Sequence, residues 1–582
     1  MKNYKKVYAA FILAGGLILH GCNGIFDDLA INPNQPSMGA YFTSPSAVND
    51  AVMTMYGYMS TQRCLGASGS KTTIIRSDEA SSNSDYGKPG MFGADLNASY
   101  YTIEQPYTLM YTTASQASYI IETAPSVDFS GNEELRNAYM GEAYFWRAFA
   151  HYYLLINFRN ISPIRQMPRN GDDYVRPLEK PAAVWNFIQE DLAHAKELLP
   201  VKGYWDSKNA GRVTKASAAA LLGKAYLYRS GIEQYYGEDK TTFYSEAAKE
   251  FGDVIDGKYG TYDLTKNYAD NFDVAHENNE ESILEFQFLG DVDNAGFNPG
   301  LATSGLAFDS RGLMLPRAGV GYEGVVHNWL YNAFVNSVDK DGYTDIRMFS
   351  TMIFNDLDAS IHLRNDAGGN PVRLEGPGGY KWEELYPAKN GKEGFATVSN
   401  PLAHSFKAGI RKGIDCSMPT QTEADGTPKL VGVGAGVKEY VYNQPRAHGV
   451  NWRYIRYADV LMMYAEAIVS GGTQASNMTP LQAVNKVRGR VNMSELPSVT
   501  MTDIQNERIL EFALEGHRFY DLLRWGKLAS RFTELQESDP NFKKFISADD
   551  FKGFVTNKHE WLPIPINEVN SNPYITENNP GY

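Results

Sequence analysis

Glu507, Glu511 and Glu515 stand at i, i+4 and i+8 in the stretch TDIQNERILEFALEGHRFYDLLRWGKL, Thr502 to Leu528. That spacing sets three carboxylates on one face of a helix, as a metal site or a glycosidase pair would need. Arg508, Arg518 and Arg524 are interleaved with them and with Asp521. An arginine beside a carboxylate competes with a metal and lowers the carboxyl pKa, the wrong direction for a general acid. Thr502 and Gln505 make a capping start for a helix over the stretch. Its large apolar residues, Ile509 to Trp525, leave no side free of bulk, so the helix is packed all round. Charges on such a helix must neutralise one another in place. The stretch is read as an ion-pair lock between packed helices, in which four acids face three arginines.

Other catalytic or metal chemistry finds little footing. The ten histidines show no metal spacing, and the glycines form no phosphate loop between strand and helix. Gly66 to Ser70, GASGS, lacks the strand and helix of a nucleophile elbow. Asp339 to Asp345, DKDGYTD, lacks the regular ligand spacing and final glutamate of a calcium loop. No metal and no cofactor is therefore expected. An enzyme reading would need carboxylates of the central region, such as Asp339 or Glu375, acting as a glycoside hydrolase pair.

Binding needs less, namely aromatic faces and a few fixed polar groups in a concave site. Two stretches offer them. The long Gly, Ser and Asn-rich segment after Cys64 carries Arg76, Asp78, Tyr86, Phe92 and Asn97, with Tyr100 and Tyr101 beyond; it reads equally as a solvated loop or a ligand loop. The central region adds Tyr322, Trp329 and Trp382 among other aromatics.

The elements that hold these residues are mostly helical. A first helix is predicted from Pro45 to about Thr61, capped by Ser44 or Ser46. Further helical patterns follow at YTLMYTTASQASYIIETA, ELRNAYMGEAYFWRAFAHYYLLINF, AAVWNFIQEDLAHAKELLP, GRVTKASAAALLGKAYLYRSG and FYSEAAKEFGDVIDG. Small residues alternate with aromatics in them, as in helical repeats with a period of about 34 residues. From Tyr259 to Gln444 the chain turns to Gly, Asn and Asp with short apolar runs. The fold class is mostly α, tetratricopeptide-like helix pairs with a large irregular insertion carrying a few short strands. Trp146, Trp185, Trp525 and Trp561 are assigned to packing, and the Pro- and Asn-rich end after Trp561 to an extended tail on the surface.

At 582 residues, 43% apolar and 21% charged, the composition is that of an ordinary folded protein, rich in Tyr (38) and Phe (28). Lys2, Lys5 and Lys6, the apolar run after them and Leu19 to Cys22, LHGC, form a lipoprotein signal that would leave Cys22 as the acylated first residue. Removing those three lysines takes the net charge from −14 to −17, which disfavours nucleic acid and anionic membrane surfaces. The membrane is then reached only through the lipid anchor on Cys22. Cys64 and Cys416 either pair or stay as thiols. The expected divisions are 1–21 signal peptide, 22–44 tether, 45–258 N-terminal helical region, 259–444 loop-rich ligand face and 445–582 C-terminal helical region with tail, in one body.

GEAYFWRAFAHYYLL, EDLAHAKELLP, GRVTKASAAALLGKAYLY, RYADVLMMYAEA, AVNKVRGR, ERILEFALEGHRFYDLLRWG, WLPIPINEVNSNP and the final NNPGY, in this order, resemble the SusD/RagB family of nutrient-binding outer-membrane lipoproteins. The resemblance implies a non-enzymatic, cell-surface protein that captures oligosaccharides, or in some branches peptides, and passes them to a SusC-like TonB-dependent transporter. Asp27 and Asp28 after Cys22 are similar to the family's acidic surface-export signals. The resemblance also places the ligand site on the loop after the first helix and on the central loops, pointing to Arg76, Asp78, Tyr86, Phe92, Asn97, Tyr322, Trp329 and Trp382. A transporter-sealing scaffold that binds no ligand is the remaining alternative.

Overall fold

The computed structural model of the chain describes residues 42–61, 63–66, 68–82, 96–169, 171–288, 308–309, 324–375, 381–385, 406–412, 430–432, 438–440, 447–539, 542 and 554–582. The leader, Cys22, Asp27 and Asp28 lie outside these residues, as does Cys416.

Helix α1 spans Pro45–Ser60, with the Ser44 hydroxyl accepting from the Ala47 N–H and Val48, Ala51 and Met55 buried, as the periodicity predicts. The segment after Cys64 is less irregular than expected. It forms α2, Ser68–Ile75, and strand β1, Ala80–Ser82. Ile74 and Ile75 are buried, and that burial outweighs the turn-rich composition around them.

Five helices follow: α3 Tyr101–Thr123, α4 Glu133–Phe158, α5 Pro181–Leu198, α6 Lys215–Tyr236 and α7 Tyr244–Ile255. Each packs on the next. The packing uses the small residues predicted for it: a Cβ on Gly141 would lie 2.9 Å from Leu199, and one on Gly223 2.8 Å from the Phe251 ring. Beyond β2, Ser282–Phe286, come short pieces: β3 Phe308–Asp309, β4 Gly324–Val326, α8 Asn328–Val335, α9 Arg347–Thr351, β5 Met352–Phe354, α10 Trp382–Leu385, β6 Ala408–Ile410, β7 Leu430–Gly432, β8 Lys438–Tyr440 and β9 Ala447–His448. Strands β1, β4, β6 and β5, in that order, make an antiparallel sheet. Strand β10, Trp452–Arg456, pairs with β2. Helix α11, Tyr457–Val469, then packs directly on α7, so the helical stack resumes where it was interrupted. The chain continues through α12 Pro480–Arg490, α13 Met501–Glu511, α14 Arg518–Arg524, α15 Leu528–Ser538 and α16 Ile566–Ser571.

Two expectations need correction. The predicted long helix is two helices, α13 capped by Thr500 with Asp503 rather than by Thr502 with Gln505, and α14 after a turn in which Leu514 and Gly516 have φ of 62° and 85°. Across the turn Glu511 and Glu515 still meet on Arg456, as their i, i+4 spacing on one helix face would also allow. The C-terminal tail, second, is inlaid rather than laid on the surface. Leu562 and Ile564 are buried, the Leu562 N–H donates to the Asn157 carbonyl, and the Asn579 amide donates to the carbonyls of Phe158 and Leu562. No helix among the described residues is long and apolar enough to cross a membrane.

Candidate functional site

The acidic face that opened the sequence reading is closed to chemistry by its partners. Glu511 is fully buried and accepts from Arg456 at 2.6 Å, Arg347 at 3.0 Å and Arg490. Burial alone would raise its carboxyl pKa, but Arg490, Arg456 and Arg347 hold it well below the ordinary range. Arg347, Arg456, Arg488, Arg490 and Lys412 join Asp345, Glu281, Glu507, Glu511 and Glu515 in one network, five cations to five carboxylates. Lys224, Arg508 and Arg524 form a second with Asp459, Asp521 and Glu466. Neutrality is reached as expected, yet most of the charges that supply it come from outside the stretch.

The sheet pairs the described strands that border two of the candidate segments. In β1 and β4, Ala80 pairs with Val326 and Ser82 with Gly324. The segment that leaves β1 after Ser82 therefore starts beside the residue where the segment ending at 323 enters β4. Tyr86 and Phe92 belong to the first segment and Tyr322 to the second, and all three lie outside the described residues.

Beneath that junction is a tightly bonded cluster. Asp78 is 0% exposed, its carboxylate accepting from Arg518 at 2.9 and 3.1 Å and from Arg531 at 2.7 Å. Its carbonyl accepts from Trp329 Nε1 at 2.5 Å and lies 2.7 Å from His327 Nδ1. A carbonyl can only accept, so Nδ1 carries the proton and Nε2 is left to accept from Ser81 Oγ at 2.5 Å. Burial pushes the His327 pKa down and keeps the ring neutral. The Ser81–His327 pair has the spacing of a nucleophile and its base, but it is buried and oriented by a peptide carbonyl, and the Asp78 carboxylate is engaged by arginines. Its role is to fasten β1 to β4 and α8. Glu79 accepts from the Leu514 N–H at 3.0 Å, which ties β1 to the turn before α14. Burial, followed by the charge of Asp78, raises its carboxyl to about 8.

Trp329, half-buried, has the Arg531 guanidinium 4.2 Å and that of Arg518 5.4 Å from its ring centroid. Arg76, expected at the ligand, is 0% exposed; it donates to the carbonyls of His559 and Glu560 at 3.1 and 2.8 Å and stacks on Phe519. Arg76 and Asp78 thus anchor the base of the loop and face protein groups. Asn97 is exposed at the start of α3, its side-chain oxygen accepting from the Ser99 N–H. Trp382 is buried, on a segment clamped by Arg373 to Asp356 and Glu383. Arg531 and His327 escaped the sequence reading, since only the fold brings them to Asp78.

The proposed hydrolase carboxylates are also engaged. Asp339 accepts from the N–H groups of Asp341 and Tyr343 and pairs with Arg364. Burial would raise its pKa, but these donors and Asn492 hold it below the usual range. Glu375 pairs with Lys381 at 3.0 Å.

Comparison with known proteins agrees with this architecture. Residues 422–582 match the SusD family, and residues 31–227 match the family described as starch-binding, associating with the outer membrane. A SusD-like protein from Bacteroides ovatus is 25% identical over 533 residues, 90% of this chain and 83% of that one. SusD-like protein P2 of Formosa agariphila is 25% identical with both chains covered in full. Among solved structures, a SusD superfamily protein from Bacteroides vulgatus superposes with a TM-score of 0.67 at 21% identity, over 93% of this chain and all of that one. A laminarin-binding SusD-like protein superposes at 0.63 with 24% identity, over 93% and 100%. The helical stack interrupted by loops, the inlaid tail and these matches from one end of the chain to the other show that the protein belongs to the SusD-like, glycan-binding family.

Proposed function

We propose that this protein is a cell-surface lipoprotein, acylated at Cys22, that captures oligosaccharides and hands them to a SusC-like TonB-dependent transporter in the outer membrane. The observation that supports the reading is the β1–β4 register, which pairs Ser82 with Gly324, the described residues next in the chain to the segments bearing Tyr86, Phe92 and Tyr322, beside a Trp329 held by the Asp78 carbonyl. A rigid base from which aromatic loops spring is what stacking on sugar rings requires. Asn97 and Trp329 complete the proposed ligand set, while Arg76 and Asp78 anchor the loop base and the buried Trp382 is left to packing. The neighbours support the ligand class: one structure is named for binding laminarin and another contains a xylogluco-oligosaccharide. Binding without hydrolysis is supported by the arginine- and lysine-paired states of Asp339 and Glu375.

The test is native affinity electrophoresis of the mature chain in gels containing laminarin, xyloglucan or starch, with a reducing-sugar assay alongside. Retardation without new reducing ends is expected, and Tyr86→Ala with Tyr322→Ala abolishes it. Release of new reducing ends, or free migration in every gel, sinks the reading. Transporter delivery predicts co-purification with an outer-membrane barrel that is lost in Cys22→Ala.

A further inference from the structure

A second concave site lies in the helical stack and shares no residue with the β1–β4 cluster. It is a cavity of about 780 Å³ between the end of α6, the start of α7, the end of α11 and α13–α14. Its floor is Trp525, whose Nε1 donates to Glu466 Oε1 at 2.9 Å, with Glu466 itself held by Arg524 Nε and Nη2. The floor is therefore rigid and its charges are internally matched.

The walls differ from ordinary packing surfaces. Tyr235 is 53% exposed. Its ring lies over Gly526, where an added Cβ would come within 2.4 Å of it and where φ is +65°. One face of the ring is thus seated on backbone, and the exposure that remains to it is at the cavity and on the other face. Opposite, Gln505 receives the Lys527 ammonium on Oε1 at 2.7 Å; beside Tyr235, Gln234 receives the Tyr244 hydroxyl at 3.4 Å. With both amide oxygens engaged, the two NH2 groups carry no hydrogen bond among the described residues. Hydroxyls of Thr502 and Ser470 line the space between. The ionised groups at the cavity are two of each sign, Glu246 and Glu466 against Arg524 and Lys527, so it exerts little net pull on an anion or a cation. A fixed aromatic face, free amide donors, hydroxyls and no net charge match an uncharged polyhydroxylated ligand.

We infer that this cleft is a second carbohydrate site, which holds a short segment of a neutral glycan through stacking on Tyr235 and hydrogen bonds from Gln234 and Gln505. The ligand class rests on the glycan-binding reading above, and the site does not. Isothermal titration calorimetry of the mature chain with maltoheptaose, laminariheptaose and xyloglucan heptasaccharide tests it. For at least one sugar the expected stoichiometry is two per chain. Tyr235→Ala and Gln505→Ala each lower the affinity of one of those sites by about tenfold or more, as loss of a stacking face or a buried-edge hydrogen bond does, and leave the other intact. The Tyr86→Ala, Tyr322→Ala double variant shows the converse. One site per chain, unchanged by Tyr235→Ala and Gln505→Ala but lost in the loop variant, overturns the second site and leaves the proposed function standing. No binding of any of the three sugars overturns both.

Discussion

Glu511→Gln removes a unit negative charge from the centre of the ten-membered network. The replacement amide still accepts from one arginine, but its NH2 group is set against guanidinium donors, and five cations are left with four carboxylates. Glu511 and its partners Arg347 and Arg456 are all 0% exposed, so no water replaces the lost acceptor. Breaking one side of a buried pair costs about 3–5 kcal/mol. Unfolding entropy near 60 °C is about 2.1 cal/mol/K per residue, so a chain of 582 residues melting as one unit has an entropy of roughly 1.2 kcal/mol/K and shifts by about 2.5–4 °C. A smaller cooperative unit would shift further. Differential scanning calorimetry reads the change, with Glu238→Gln as control, since the Lys180–Glu238 pair is 81% and 89% exposed and surface pairs contribute little. The double variant Glu511→Gln, Arg490→Gln restores charge balance and should recover part of the loss. Glycan affinity per folded molecule should stay constant throughout. A Tm equal to the control, or affinity lost at unchanged Tm, would refute the lock.

Acidification should destabilise the protein. Burial holds His151 and His559 near 3 and His517 near 4, so each binds a proton only in the unfolded chain as pH falls below about 6.5. Glu79 and Glu277, raised by burial to about 8 and 7, act the other way because only the folded state keeps their protons. His327 joins these histidines, and the arginine-paired Glu511, Asp521 and Asp459 also take up protons only on unfolding as pH nears 4.5, so the unfolding free energy from urea titration should fall by about 1 kcal/mol per pH unit between pH 6 and 4.5; a free energy that rises contradicts the assignment. Cys64 is 0% exposed and its thiol is pushed upward by burial, so native Cys416→Ser protein should resist Ellman's reagent until urea opens it. Rapid labelling under native conditions would disprove its placement. Gly231→Ala should lower Tm, because the new Cβ would lie 2.5 Å from the Arg524 carbonyl and push α6 from α14 at a cost of about 1–3 kcal/mol. An unchanged Tm would mean that contact is looser than described.

The sequence alone determined the helical stack and the identity of its buried faces. Alternating small and aromatic residues such as Gly141, Trp146 and Gly223 prescribe close helix packing through local spacing, and local spacing is legible without coordinates. It also showed that Glu511 and its neighbours had to be neutralised, because charge on a helix with no polar side has nowhere else to go. What it could not supply was the partners. Glu511 is satisfied by Arg347, Arg456 and Arg490, and Asp78 by Arg518 and Arg531, which are far apart along the chain. Arg76 and Asp78 looked like ligand groups for the same reason: a charged residue in a polar segment carries no mark of whether a distant arginine or carbonyl will enclose it. Only the tertiary structure decided that, by bringing β1 against β4 and the C-terminal helices, where desolvation makes an internal partner obligatory.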